Sequence, residues 1–110
     1  MAKELEEQVI AGSGNVFADM GLPDADELDT KARLGAAIHR IVGRRRLTQA
    51  QVADALAINQ PKVSALLNYK LEGFSVERLM RFLVALEQDI EIIVKAKPRT
   101  RSARIAVIAA

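Results

Sequence analysis

Residues 48–68 read TQAQVADALAINQPKVSALLN and contain two helix starts in quick succession. Thr48-Gln49-Ala50-Gln51 has the form of a capping box, in which a threonine hydroxyl and a glutamine side chain satisfy backbone donors that a first turn leaves free. Val52, Ala53 and Leu56 then fall on one side of a short helix. Asn59 is a good N-cap, and Pro61 fits a first helical turn, where its missing N–H costs nothing. A second short helix therefore starts here, with Val63, Leu66 and Leu67 on its buried side. Only Ala57 and Ile58 separate the two, and so tight a join fixes the helices at a steep angle rather than letting them fold back as an antiparallel pair.

Working outward, Asp24-Ala25-Asp26-Glu27 has the form of another capping box, with acids clustered where a helix N-terminus favours negative charge. The helix it opens carries Leu34, Ala37, Ile38, Ile41 and Val42 as one apolar stripe and is expected to end near Gly43, in the basic triplet Arg44, Arg45 and Arg46. His39 lies beside that stripe with no second ligand in view and reads as an ordinary surface or edge histidine. On the other side, Ser75 caps a helix in which Val76, Leu79, Phe82, Leu83 and Leu86 recur with helical period, the strongest apolar stripe in the chain. From Asp89 to Lys97 the rhythm changes. Ile90, Ile92 and Val94 alternate with Glu91, Ile93 and Lys95, β-branched residues dominate, and a strand is expected that ends at Pro98. Its backbone needs a partner, either the same strand across a homodimer or the stretch from Arg104 to Ile108.

The chain has 110 residues, enough for one small domain. Half of it is apolar, but 18 of those residues are alanine, which suits close-packed small helices or a core completed by a partner. With no cysteine and one histidine, disulfides, structural zinc and thiol catalysis are excluded, no cofactor is expected, and a reducing cytoplasm is the natural compartment. The longest uninterrupted apolar run is 105–110 and the sequence opens MAKELEEQ, so neither a membrane span nor a signal peptide is expected. The formal charge of +2 conceals an asymmetry: residues 1–30 hold eight acids and one base, residues 31–110 fifteen bases and six acids. A body that basic suits a polyanion partner, while the acidic segment would be repelled by it. Residues 1–22, with Gly12, Ser13, Gly14 and Gly21, read as a flexible arm. Their GSGN run lacks the lysine and the preceding strand of a phosphate loop.

The duplex supplies a reason for the helix pair. A B-DNA major groove admits an α-helix, and a helix with Val63, Leu66 and Leu67 turned inward presents Gln60, Lys62 and Ser64 outward. Gln60 offers donor and acceptor together to adenine, Lys62 donates to guanine O6 or N7, and Ser64 serves a base or a phosphate. Asn59, Asn68, Lys70 and the arginine triplet are candidates for phosphate contacts, which position a protein without reading sequence. An enzyme fails on inventory, and single-strand binding lacks a stacking platform, since Phe82 belongs to the core stripe and only Phe17, Phe74 and Tyr69 remain. The tail from Lys95 to Arg104, with five bases and no acid, either follows the phosphate backbone or is merely solvated.

The same stretch, residues 48–68, resembles the helix-turn-helix of the Xre family, to which the lambda-type phage repressors belong. The Thr-Gln opening, the small Ala53, Leu56, Ile58 in the turn and the run Gln60-Pro61-Lys62-Val63-Ser64 carry the resemblance. One departure is Ala57, where the family commonly has glycine; alanine enters a left-handed conformation at a cost of roughly 1 kcal/mol. The resemblance implies a mainly α, lambda-repressor-like helix-turn-helix bundle, extended here by the C-terminal strand. It implies base reading by Gln60, Pro61, Lys62 and Ser64, with Thr48 and Gln49 among the phosphate contacts and Gln49 bracing Gln60. A wider likeness covers residues 13–97. Asn15, Val16, Phe17 and Asp19 before the first helix, Gly73-Phe74-Ser75 before the fourth and Asp89-Ile90-Glu91-Ile92 after it resemble HigA-type antitoxins. That likeness implies a protein that represses its own operon and neutralises a small basic toxin of the RelE/HigB kind through the acidic arm. A stand-alone Xre-type repressor without a toxin remains the alternative. The expected organisation is an arm over 1–22, a DNA-binding domain over 23–88 and a strand with basic tail over 89–110.

Overall fold

The computed structural model describes residues 24–109. Its order is α1 (Ala25–Arg44), α2 (Gln49–Leu56), α3 (Gln60–Leu67) and α4 (Val76–Ala85). α1 packs chiefly along α4 and also meets α3, while α2 is held between α3 and α4. Each helix sends one side chain to zero exposure: Ile38, Val52, Val63 and Leu79 in turn. Leu34, Ile41, Leu66, Phe82, Leu83 and Leu86 close the core around them. The stripes expected from the 3.6-residue period are the faces that are buried.

Three of the four helix starts follow the sequence signals. The Thr48 hydroxyl accepts from the Gln51 amide at 3.1 Å while Gln51 Oε1 accepts from the Thr48 amide at 2.8 Å, a complete capping box. Asn59 Oδ1 accepts from the Lys62 amide at 2.9 Å, and Ser75 Oγ from that of Arg78 at 3.1 Å. The start of α1 differs. Asp24 is left-handed (φ 57°, ψ 32°), and its side chain makes no cap bond. A capping side chain reaches the third amide from an extended backbone, so the expected capping box at Asp24 does not form. The acids of this region act along the helix instead: Asp29 pairs with Arg33 at 2.9 Å and Glu27 with Lys31 at 3.7 Å.

The helix ends share one construction. α1 runs one residue past Gly43 and reverses at Arg46 (φ 53°), with the Leu47 amide donating to the Val42 carbonyl at 3.0 Å and that of Arg46 to Gly43 at 3.2 Å. The same pair of bonds closes α2 at Ala57 (φ 56°), α3 at Tyr69 (φ 59°) and α4 at Glu87 (φ 66°). These are Schellman closures made without glycine. At the first two, the following residues Leu47 and Ile58 pack against the core, which repays the strain of the left-handed residue.

Between α3 and α4 the chain passes close under α1. A Cβ on Gly35 would stand 3.1 Å from Leu71 Cδ1 and 3.6 Å from Tyr69 Cδ1, so the absence of a side chain is what admits this loop. His39 is exposed and stacks on Tyr69, ring centres 5.8 Å apart, as a surface histidine. Phe74 meets Phe82 edge to face at 5.7 Å, and the Arg78 guanidinium covers both rings.

The C-terminal strand expected over 89–97 is not formed. Among the described residues there is no strand, and no backbone hydrogen bond joins this stretch to 104–108. A strand exists only through its ladder, and none of the other described residues provides one. Val107 and Ala109 instead rest against the helical core, while Ile90, Ile92 and Val94 stay exposed. Asn15, Val16, Phe17 and Asp19 lie outside the described residues. No helix among the described residues is long and apolar enough to cross a membrane.

Candidate nucleic-acid interface

Val63 at zero exposure and Leu66 at 1% pin one side of α3 to the core. At 100° per residue, Pro61 falls on the opposite side, with Gln60 and Lys62 at its two flanks. Gln60 and Lys62 are both exposed, and neither side chain has a partner among the described residues. Their donors and acceptors are therefore available to a ligand, on a helix whose backbone is fixed by Asn59 at its start and by the closure at Tyr69 at its end.

Pro61 is exposed, as expected for a group that meets base edges. Ser64 is placed less openly: it is half-buried, and the Asn68 amide reaches its Oγ at 3.4 Å and its carbonyl at 2.8 Å. Asn68 is thereby occupied at the end of α3. Ala65, absent from the expected set, is half-buried against the core and lines one cleft with Pro61 and Lys62. Helical spacing alone could have found it.

Of the expected phosphate contacts, Asn59 and Lys70 line the same cleft. Thr48 and Asn59 spend their acceptor oxygens on capping, which leaves the Thr48 O–H and the Asn59 NH2 to donate, and a phosphate needs donors. Gln49 is exposed at the start of α2 and has no partner among the described residues. Arg44, Arg45 and Arg46, followed by Leu47 and Thr48, are all exposed, and none is in an ion pair among the described residues. Lys70 and Lys62 line a cleft of about 460 Å3 between α3 and the loop at Gly73. Glu72 also lines it, a carboxylate that sequence reasoning passed over. So the structure gathers Gln60, Pro61, Lys62 and Lys70 around one helix, with Thr48, Gln49 and the arginines at the ends of α1 and α2.

Two short helices joined by a three-residue turn, the second pinned by its inner face and open on its outer one, define a helix-turn-helix protein. Comparison with known proteins agrees. The family described as "Helix-turn-helix domain" matches residues 16–95. A solved structure described as an XRE family transcriptional regulator is 62% identical, is covered over its whole length, covers 80% of this chain and superposes with a TM-score of 0.76. No curated protein matches. The chain belongs to the XRE family of helix-turn-helix transcriptional regulators, and that membership implies binding to DNA.

Proposed function

We propose that the protein is a cytoplasmic, non-catalytic repressor that binds duplex DNA as a homodimer, reads base edges with α3 and represses its own operon. The observation that carries this reading is the pair Gln60 and Lys62, exposed and without a side-chain partner among the described residues, on a helix whose other side is locked into the core. Gln60 suits adenine, Lys62 suits guanine, and Ser64 is left for a shorter contact. Thr48, Gln49, Asn59, Lys70 and the arginine triplet supply phosphate contacts that fix the register.

The protein further acts as the antitoxin of a toxin–antitoxin pair. Support comes from the HigA-like segment that includes Asn15, Val16, Phe17 and Asp19, and from the segregation of eight acids and one base into residues 1–30. A toxin that holds RNA is basic, and an acidic segment complements it.

Footprinting on the DNA upstream of its own gene tests the first reading. A dimer protects two half-sites related by a two-fold axis, with centres about 34–36 Å or a multiple apart; a single asymmetric footprint contradicts it. For the second reading, the product of the adjacent reading frame is co-expressed with the full chain. A small basic protein that co-purifies, and whose growth inhibition is relieved, supports the antitoxin. No such neighbour leaves the stand-alone repressor.

A further inference from the structure

Residues 89–97 read DIEIIVKAK. In an extended chain successive side chains point to opposite faces. One face then carries Ile90, Ile92, Val94 and Ala96, and the other Asp89, Glu91, Ile93, Lys95 and Lys97. The charged face runs from two acids to two bases about a central isoleucine. All nine residues are exposed, with Ile92 at 76%, Ile93 at 79% and Val94 at 92%. Consecutive β-branched residues this open, with backbone groups in no ladder, form an edge for another chain.

We propose that residues 89–97 pair antiparallel with the same residues of a second copy, on a two-fold axis through Ile93. This rests on the homodimer reading above and adds its surface and register. The axis sets Asp89 opposite Lys97 of the second copy and Glu91 opposite its Lys95, and each pair occurs twice. On the other face Ile92 opposes Val94, twice, and Ile90 opposes Ala96. Opposite charges and β-branched pairs set directly across from one another stabilise such a ladder. A parallel, in-register arrangement sets Asp89 on Asp89 and Lys95 on Lys95. Moving the axis to Val94 sets Lys95 against Ile93 and brings Pro98, which has no N–H to donate, opposite Ile90. The segment is thus complementary to itself in the antiparallel orientation, and the axis at Ile93 pairs all four of its charges.

The chain contains no cysteine, so single-cysteine variants of the full protein report the register without background. Residues directly opposed in an antiparallel pair have Cα atoms about 4.5–5.5 Å apart, within disulfide reach, whereas an offset of two residues lies beyond it. On mild oxidation, Ile93→Cys is expected to give covalent dimers, and Ile92→Cys and Val94→Cys to stay largely unlinked. By sedimentation equilibrium, Glu91→Lys is expected to weaken dimerisation about tenfold, and Lys95→Glu added to it to restore the wild-type value. The thermal unfolding of each variant checks that the helical body is intact. A wild-type dimer that is indifferent to Glu91→Lys, or that links through position 92 or 94 instead of 93, overturns this register while the homodimer stands. A wild type that stays monomeric at tens of micromolar overturns both.

Discussion

The helical body and the segment after it use the same side chains to opposite ends. In the body, Ile38, Val52 and Val63 have no exposure; beyond it, Ile90, Ile92, Ile93 and Val94 are 36–92% exposed. The difference lies in the period at which these residues recur. At a spacing of three and four residues an apolar stripe finds its partner in another helix of the same chain, since helices satisfy their own backbone. At a spacing of two it needs a ladder, which none of the described residues gives it. The described helices thus bury their stripes against one another, while the apolar residues of 89–97 stay exposed.

The sharpest way to break that contrast is to remove the same side chain from each region. Ile38→Ala should cost about 2–5 kcal/mol, as a fully buried aliphatic residue does, and Ile92→Ala no more than about 0.5 kcal/mol in dilute protein. Urea unfolding measures both; similar losses would show that the two regions do not differ. Next in size are the exposed flanks of α3. Gln60→Ala and Lys62→Ala should each remove about 1–3 kcal/mol of discrimination between operator and scrambled DNA, with no change in the unfolding midpoint. A fall in stability would mean that these side chains serve the fold instead.

Smaller effects sharpen the picture of the body. Thr30 is 6% exposed, and its hydroxyl has no hydrogen-bond partner among the described residues. An unsatisfied buried hydroxyl costs about 1–3 kcal/mol, so Thr30→Val should stabilise the protein by about 1 kcal/mol; destabilisation would reveal a partner for Oγ1. Ala57→Gly should stabilise by up to about 1 kcal/mol, because the turn holds this residue at φ 56°. A loss in the same denaturation experiment would contradict the left-handed turn.

What the sequence discloses follows the range of the interactions involved. The caps at Thr48, Asn59 and Ser75 are legible because each bond spans three residues, so cause and signal sit together. The stops are less so. Gly43 invites an end that α1 passes, and the reversal falls on Arg46, placed where Leu47 can reach the core. Asp24 shows the converse: the right residue types in a backbone state that cannot use them. At the interface, Gln60 and Lys62 stand where the stripe of α3 puts them, since burial of Val63 and Leu66 fixes the opposite face. The half-burial of Ser64 and the turn of Asn68 toward it depend on local side-chain bonds that the pattern does not encode. For residues 89–97, the alternation is plain in the sequence, but a strand needs a partner, and none of the described residues supplies one.

The central claim is that α3 reads bases. Its most direct test is the affinity of wild type and of a Gln60→Ala/Lys62→Ala variant for the DNA upstream of the gene and for scrambled DNA, at one physiological salt concentration. The account predicts that wild type prefers its own upstream DNA and that the variant binds both DNAs at the scrambled level, the phosphate contacts remaining. A wild type that binds both DNAs alike, or a variant that keeps the full preference, would contradict it.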